Sequence, residues 1–480
     1  MEREKHPMQE KSHHFNQIDP LFHPRSIAVV GESSSGKIGP GFLEAHINQG
    51  FPGKLYAINP RGKVRDYETY PNLMDVPGPV DHVIISVRAE YLKQVIEDCV
   101  KKQVRSAAMF TSGFREWEGE KGAAKEAEIL DIAKKGGLRL IGPNCMGFYC
   151  PKSGLSYRTD MPTIKGGRIS IISQSGGVAM TPVYAAADKG IGFAKSISYG
   201  NEVDLGAVDF LLYLAEDPDT RVICMYIEGT QHGQDLRDAM EKAAGVKPVV
   251  VIKGGRTDSG SKAVVSHTGA MAGSQRMWEA VCRQTGAILV NDINEMLDVA
   301  KLFLFMKPPA GRRMGIVSVS GGLGVMFTDL FTLNGFEVPK FSESLRNDLK
   351  QWVDLPGTSI RNPLDMATAF FAMDKHPQMF ERLGREKNLD ILAVVLANEY
   401  LGRGNMQDGE LTNFLLQILA ESFDRAGKPL VVIFPETTRA KDRLDMEKFL
   451  LGRGYPVFTD VQRCTTALNQ VLNRKIVKEK

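Results

Sequence analysis

At 480 residues the chain is too long for a single hydrophobic core, and at roughly 150 residues per domain about three domains are expected. Its composition, 43% hydrophobic and 24% charged, excludes a disordered, collagen-like or membrane-spanning protein. With 60 basic residues against 57 acidic ones the formal charge is +3, too little for general attraction to nucleic acid or a membrane surface, so any anionic ligand must be held locally.

Residues 1–17 read as a polar N-terminal tail without the apolar stretch of a signal peptide, and no run of about 18 apolar residues occurs later. Six cysteines (Cys99, Cys145, Cys150, Cys224, Cys282 and Cys464) are scattered, with no CxxC pair or histidine cluster, which argues against structural zinc and a disulfide scaffold. The expectation is a reduced, cytoplasmic protein without a metal site.

From residue 18 onward, short β-branched apolar runs alternate with longer stretches of helical periodicity, the pattern of a parallel α/β fold. Five runs, at 26–31, 54–59, 82–87, 107–111 and 138–142, assign residues 18–150 to one Rossmann-like domain. Residues 151–167 lose the periodicity and read as a linker. A second set of strands at 168–172, 194–198, 222–227, 248–252 and 287–290 defines a domain over 168–307. After Pro308-Pro309 the pattern restarts, with strands at 315–319, 392–396, 430–434 and 456–458 in a third domain over 308–480. The second and third domains open alike, with Ile171-Ile-Ser-Gln-Ser-Gly-Gly177 and Ile316-Val-Ser-Val-Ser-Gly-Gly322, so they read as a duplicated flavodoxin-like unit unless the likeness is a chance of strand-turn-helix chemistry.

Glycine-rich turns from a first strand into a helix let the backbone approach a phosphate, and the helix N-terminus supplies unpaired N–H groups. Gly31-Glu-Ser-Ser-Ser-Gly-Lys-Ile-Gly39 has neither dinucleotide nor Walker A spacing, but its hydroxyls and Lys37 suit a phosphate-bearing nucleotide other than NAD. The turn Ser173-Gln-Ser-Gly-Gly177 aims donors at an anion, or is purely structural. What favours an anion is His267, which lies in a Gly/Ser/Thr-rich, loop-like stretch of residues 253–273, unlike His46, His82, His232 and His376. A neutral imidazole can carry a phosphoryl group, and it needs an orienting partner. Glu228, at the carboxyl end of the strand at 222–227, has the right place for one, or is a solvated strand end.

Taken together, Val29-Val-Gly-Glu-Ser with Gly36-Lys-Ile-Gly39, Ile141-Gly-Pro-Asn-Cys-Met-Gly147, Ser173 to Gly177, Gly200-Asn201 with Asp204, Tyr226-Ile-Glu-Gly229 and Ser266-His-Thr-Gly-Ala-Met-Ala-Gly273 occur in the order of a known family. From about Ile18 to the C-terminus the chain resembles the α subunit of an NDP-forming (ADP-forming) acyl-CoA synthetase, in the succinyl-CoA synthetase superfamily. The resemblance implies a CoA-binding Rossmann-like domain followed by two flavodoxin-like domains. It implies that His267 is phosphorylated and Glu228 stabilises it, with Ser175, Gly176 and Gly177 cradling phosphate. Gly31, Ser33, Ser35, Gly36 and Lys37 then resemble the CoA phosphate loop, with Val87, Arg88, Ser112 and Gly113 as further CoA contacts. Asn144 and Cys145 fall at the thioester, Cys145 as packing rather than nucleophile.

The reaction implied interconverts acyl-CoA, ADP and phosphate with carboxylic acid, CoA and ATP through acyl phosphate and phosphohistidine. In the family the nucleotide, with Mg2+, binds an ATP-grasp domain. The chain ends at Lys480 without room for one, so the expected partner is a separate β subunit in a hetero-oligomer, with neither nucleic acid nor membrane involved. The identity of the acid, the direction of flux and the choice of ADP over GDP stay open. Tyr199 departs from the family's aliphatic residue and is expected to pack rather than shape an acid pocket. Besides a fused acyltransferase, which would need an extra domain that the expected length does not allow, two rivals stand beside this reading. One is a non-catalytic CoA-binding regulator of the same fold, which retention of both His267 and Glu228 opposes. The other is an NAD-dependent oxidoreductase, opposed by the missing G-x-G-x-x-G and by Asn59 where an acid is needed.

Overall fold

A computed structural model describes residues 11–31, 41–62, 64, 67–268, 274–353, 355–397, 410–436 and 440–474. They form three sheets in two compact units, one of the described residues within 11–187 and 192–296, the other of those within 188–191 and 297–474.

In the first unit, β1 (Ser26–Val30), β2 (Lys54–Ile58), β3 (Thr69–Tyr70), β4 (His82–Ile85), β5 (Ser106–Met109) and β6 (Arg139–Ile141) form a parallel sheet in the order β3-β2-β1-β4-β5-β6. This is the Rossmann order, whose switch point lies between β1 and β4. β1 and β4 are wholly buried, as expected of strands covered on both faces. The covering helices include α2 (Phe42–Asn48), α3 (Ala89–Lys101), the short α4 (Arg115–Glu118) and α5 (Glu120–Lys135). His46 and His82 pack into this domain, where burial pushes them down to about 4 and about 3, so they are neutral core residues.

The second sheet takes β7 (Gly147–Tyr149), β8 (Ile169–Ser173), β9 (Phe193–Ser198), β10 (Val222–Ile227), β11 (Val249–Lys253) and β12 (Ile288–Val290) in the order β12-β11-β10-β8-β9-β7. Its five parallel strands have the flavodoxin order, and β7 runs antiparallel on the β9 edge. The chain therefore enters the second sheet at Gly147, ahead of the division at residue 150 read from periodicity. With α6 (Gly176–Ala187), α7 (Ala207–Glu216), α8 (Gly233–Val246), α9 (Asp258–Thr268) and α10 (Gln275–Thr285), it completes the domain.

The N-terminal arm differs from the expected disordered tail. An earlier helix, α1 (His13–Ile18), is capped by Ser12, whose hydroxyl accepts the Phe15 amide at 3.1 Å. Phe15 and Phe22 stack on Tyr213 of α7 with centroids 5.1 and 5.0 Å apart, burial worth about 2 kcal/mol per ring. Ile18 and Leu21 are buried alongside them, Ser12 bonds Glu216 and Asp19 bonds the Tyr213 hydroxyl, so the arm docks.

In the second unit β13 (Met314–Ser318), β14 (Leu364–Asp365), β15 (Ile391–Val395), β16 (Leu430–Ile433) and β17 (Val457–Phe458) form a parallel sheet in the order β14-β13-β15-β16-β17, the flavodoxin order again. The duplicated opening has the same local chemistry in both copies. Ser173 Oγ donates to the Ser175 carbonyl at 2.7 Å and accepts its amide at 3.1 Å, and Ser318 does the same for Ser320 at 2.7 and 3.2 Å. α11 (Ile293–Phe305) groups with this sheet from Leu297 on, earlier than the Pro308-Pro309 break. The buried Lys301 ammonium explains why, since it donates to Asp298 at 3.0 Å and also bonds the Val457 carbonyl.

Candidate active site

The CoA-type crevice forms where the sheet order reverses. The ends of β1, β2 and β4 enclose a cavity of about 600 Å3 lined by Gly31, Asn59, Arg61, Val87, Arg88 and Tyr91, among others. Gly31 has φ +89°, and a Cβ there would lie 2.5 Å from the Ser86 carbonyl, so only glycine lets β1 leave beside β4. Arg88 lies over the Tyr91 ring at 5.2 Å and donates to its hydroxyl at 2.9 Å, holding a solvent-facing cation at the rim. Ser33, Ser35, Gly36 and Lys37 lie outside the described residues. At the next strand end Ser112 is exposed, and Gly113, at φ +100°, donates its amide to Glu116 at 2.6 Å.

The turn after β6 meets the loop after β9. Gly200 has φ +58°, and a Cβ there would lie 2.2 Å from the Pro143 carbonyl. The loop then runs along β6, with the amides of Asn201, Val203 and Leu205 donating to Pro143, Gly142 and Leu140 at 3.0 to 3.1 Å. Asp204 takes both Arg139 nitrogens, at 2.9 and 3.1 Å, and the Leu140 amide at 2.8 Å. Asn144, in the left-handed region at φ +59°, donates to Asn201 Oδ1 at 3.5 Å. The Asn201 amide nitrogen in turn lies 2.6 Å from Glu116 and 2.8 Å from Glu126. Burial raises Glu126 above the usual carboxylate range, against the pull of Asn201 and Arg115. Gly200, Asn201, Val203 and Glu126 border a second cavity of about 230 Å3 that also takes Gln174, Gly229 and His232. The Cys145 sulfur points inward, at 3.4 and 3.5 Å from the Ile141 and Met109 carbonyls, and burial pushes its thiol up to about 12.

Next to this cavity stands the turn of Ser173 to Gly177, whose Gln174 lines it. Ser175 Oγ accepts the Val178 amide at 3.4 Å, and the amides of Gly176 and Gly177 head α6, where the first four N–H groups of a helix have no intrahelical partner. Gly176 is closely packed, since a Cβ there would lie 2.8 Å from the Met146 side chain. Glu228 is 5% exposed, at the end of β10 beside this turn. Its Oε1 accepts the Tyr226 hydroxyl at 3.1 Å. Gln174 ties the strand end down, accepting the Glu228 and Gly229 amides and donating to the Gly229 carbonyl at 2.7 Å. Lys253 donates to the Glu228 carbonyl at 2.7 Å. Tyr199 is fully buried, as expected for packing. Its hydroxyl has no hydrogen-bond partner among the described residues, and burial with the charges of Glu202 and Glu228 raises it well above its usual range.

His267 falls in the last turn of α9, so the stretch expected to be loop-like is helical as far as Thr268. Thr257 starts it, its hydroxyl accepting the Gly260 amide at 3.1 Å. The His267 side chain and residues 269–273 lie outside the described residues. α9 packs against α4, whose Arg115 lines the second cavity. Sequence reasoning missed Gln174, Asn201 and Lys253 as side chains with work to do, although each stands inside or beside a motif quoted above.

Residues 25–151 match a CoA binding domain family and residues 166–303 a succinyl-CoA ligase like flavodoxin domain. The chain is 33% identical over 419 residues to the α subunit of acetate–CoA ligase [ADP-forming] II of Pyrococcus furiosus, covering 87% of this chain and 90% of that one. It is 32% identical to acetate–CoA ligase [ADP-forming] II of Archaeoglobus fulgidus over 94% of this chain and 66% of that one. Among solved structures, acetyl-coenzyme A synthetase 1 of Ca. Korarchaeum cryptofilum in complex with phosphate and ADP matches with a TM-score of 0.80 at 30% identity, over 95% of this chain and 96% of that one. With two family models in sequence and relatives above 30% identity along most of its length, the chain belongs to the ADP-forming acyl-CoA ligases, in the arrangement of their α subunits.

Proposed function

We propose that this chain binds an acyl-CoA in the Rossmann crevice and moves phosphate from solution to a nucleoside diphosphate by way of His267. A phosphate oxygen attacks the thioester carbonyl, the C–S bond breaks and CoA leaves as acyl phosphate forms. The His267 ring attacks phosphorus, the P–O bond to the acyl group breaks and the carboxylic acid is released. The diphosphate then takes the phosphoryl group as the P–N bond breaks. Glu228 accepts the other ring N–H and stabilises the charged ring, while the Ser175, Gly176 and Gly177 amides disperse phosphoryl charge. Gly31, Ser33, Ser35, Gly36, Lys37, Val87, Arg88, Ser112 and Gly113 hold CoA, and Asn144 lies at the thioester.

The observation that carries this reading is a buried Glu228 held at a strand end against the Ser173 to Gly177 turn, in the domain whose α9 bears His267. The phosphate and ADP in the Korarchaeum relative fit it. Mg2+ would enter with the nucleotide on an ATP-grasp β subunit, held mainly by the nucleotide's own phosphates. No described helix is long and apolar enough to cross a membrane, and the reading places the enzyme in the cytoplasm. Nothing observed favours a non-catalytic role.

Radioactive phosphate with acetyl-CoA should leave acid-labile, base-stable label on the chain, and His267→Asn should abolish it. Label that persists in the variant overturns the assignment.

A further inference from the structure

Lys253 ends β11 at 2% exposure, paired with Ile227 of β10, the residue just before Glu228. Its ammonium donates to the Glu228 carbonyl at 2.7 Å and to the Gly254 carbonyl. Gly254 opens the turn that passes through Gly255, at φ +74°, into α9 and His267. One buried cation therefore bonds both backbone segments that bear the proposed catalytic pair. Gly254 is itself wedged, since a Cβ there would meet the Tyr226 hydroxyl at 2.6 Å and the Glu228 side chain at 3.1 Å.

Burying an ammonium is unfavourable unless it is paired and hydrogen-bonded, and a leucine or methionine would fill a strand end without that cost. The Glu228 carboxylate acts on Lys253 electrostatically, and the Trp278 indole covers it at 5.9 Å. A phosphoryl group brings close to two further negative charges. Beside Glu228 it needs a cation that solvent cannot screen.

We propose that Lys253 is a positioning residue for phosphoryl transfer, tying the Glu228 strand end to the root of the His267 helix and offsetting the Glu228 charge when phosphohistidine forms. This rests on the roles given above to His267 and Glu228. Burial pushes the ammonium down to about 8, with Glu228 holding it up. Among the described residues, the groups placed against it are Glu228, just past the end of β10, and the uncharged Trp278 from α10.

The test compares the full-length wild-type chain with Lys253→Met and His267→Asn, using acetyl-CoA and radioactive phosphate between pH 6 and 9 (roughly the span around an ammonium titrating near 8). Lys253→Met should bind CoA and melt like the wild type, yet give roughly tenfold less phosphoenzyme, the loss expected of a charge-assisted hydrogen bond. Wild-type yield should fall as the ammonium loses its proton above about pH 8, and this limb should be missing in Lys253→Met. A variant with wild-type yield and pH profile overturns the proposal. So does one that loses label only in step with CoA binding and thermal stability, because that marks a purely structural lysine. Absence of wild-type label across a panel of acyl-CoA thioesters, or its survival in His267→Asn, overturns the His267 assignment itself and the Lys253 role with it.

Discussion

The phenol of Tyr226 donates to Glu228 Oε1 at 3.1 Å across a two-residue step, the period that puts alternate strand residues on one face. Burial and the Glu228 charge raise the phenol above its usual range, so it stays a donor throughout neutral pH. Tyr226→Phe removes this bond without removing the ring. Phosphoenzyme yield should fall about fivefold, near 1 kcal/mol, while CoA affinity stays unchanged. Quantifying acid-labile label and CoA affinity in the same preparation checks both halves, and an unchanged yield would separate Tyr226 from the chemistry.

Asp204 accounts for a motif residue in structural rather than catalytic terms. Its carboxylate takes two Arg139 nitrogens and the Leu140 amide, locking the loop after β9 onto β6. Asp204→Ala leaves a partly buried guanidinium and an amide without their acceptor, and should destabilise the chain by about 2 kcal/mol. Urea unfolding measures the loss. At low temperature, where the variant is folded, its phosphoenzyme yield should match the wild type.

Fourteen strands were legible as short apolar runs, most of them wholly buried as strands covered on both faces are. β3, β7 and β14 escaped because Thr69-Tyr70, Gly147-Phe-Tyr149 and Leu364-Asp365 hold no β-branched apolar residue, whereas the equally short β6, β12 and β17 carry Ile or Val. The N-terminal helix escaped for a related reason, since its stability comes from Phe15 and Phe22 meeting Tyr213, a contact nearly 200 residues away in sequence. Residues 258–268 read as a loop because Gly, Ser and Thr have poor helix propensity, and tertiary packing overrides it there. In the site, Glu228 and the Ser173 to Gly177 turn were readable from their place at strand ends. Gln174 and Lys253 were not, because their roles depend on which backbone carbonyls and amides they reach.

Two matching clamps contribute to the acid dependence of stability. The amide and Nε of Arg25 both donate to Asp81 Oδ2, and the same atoms of Arg313 donate to Asp390 Oδ2, in each case just ahead of paired strands. Burial alone would raise Asp81, but the Arg25 hydrogen bonds and charge outweigh it and hold the carboxyl below its usual range. For Asp390 the Arg313 hydrogen bond leads and the result is the same. A depressed carboxyl stabilises the fold above its unfolded value near 3.9, and that stability is lost as pH falls through the lower folded value. Melting temperature should therefore drop on acidification below about pH 4, and Asp81→Asn and Asp390→Asn should each flatten the drop. An unaltered slope in both variants would contradict the clamp.

Cys145 tests whether a conspicuous thiol beside Asn144 takes part in thioester chemistry. Its sulfur faces the Ile141 and Met109 carbonyls and its thiol is pushed up to about 12, so almost no nucleophilic thiolate exists near neutral pH. Cys145→Ala should cost about 1 kcal/mol of stability for the small volume lost, with phosphoenzyme yield within about twofold of wild type. All six cysteines are buried and free, so the folded chain should react slowly with a thiol reagent and yield all six on unfolding. Rapid modification of the native chain at Cys145, accompanied by loss of acyl-CoA turnover, would instead put the sulfur at the reacting carbonyl.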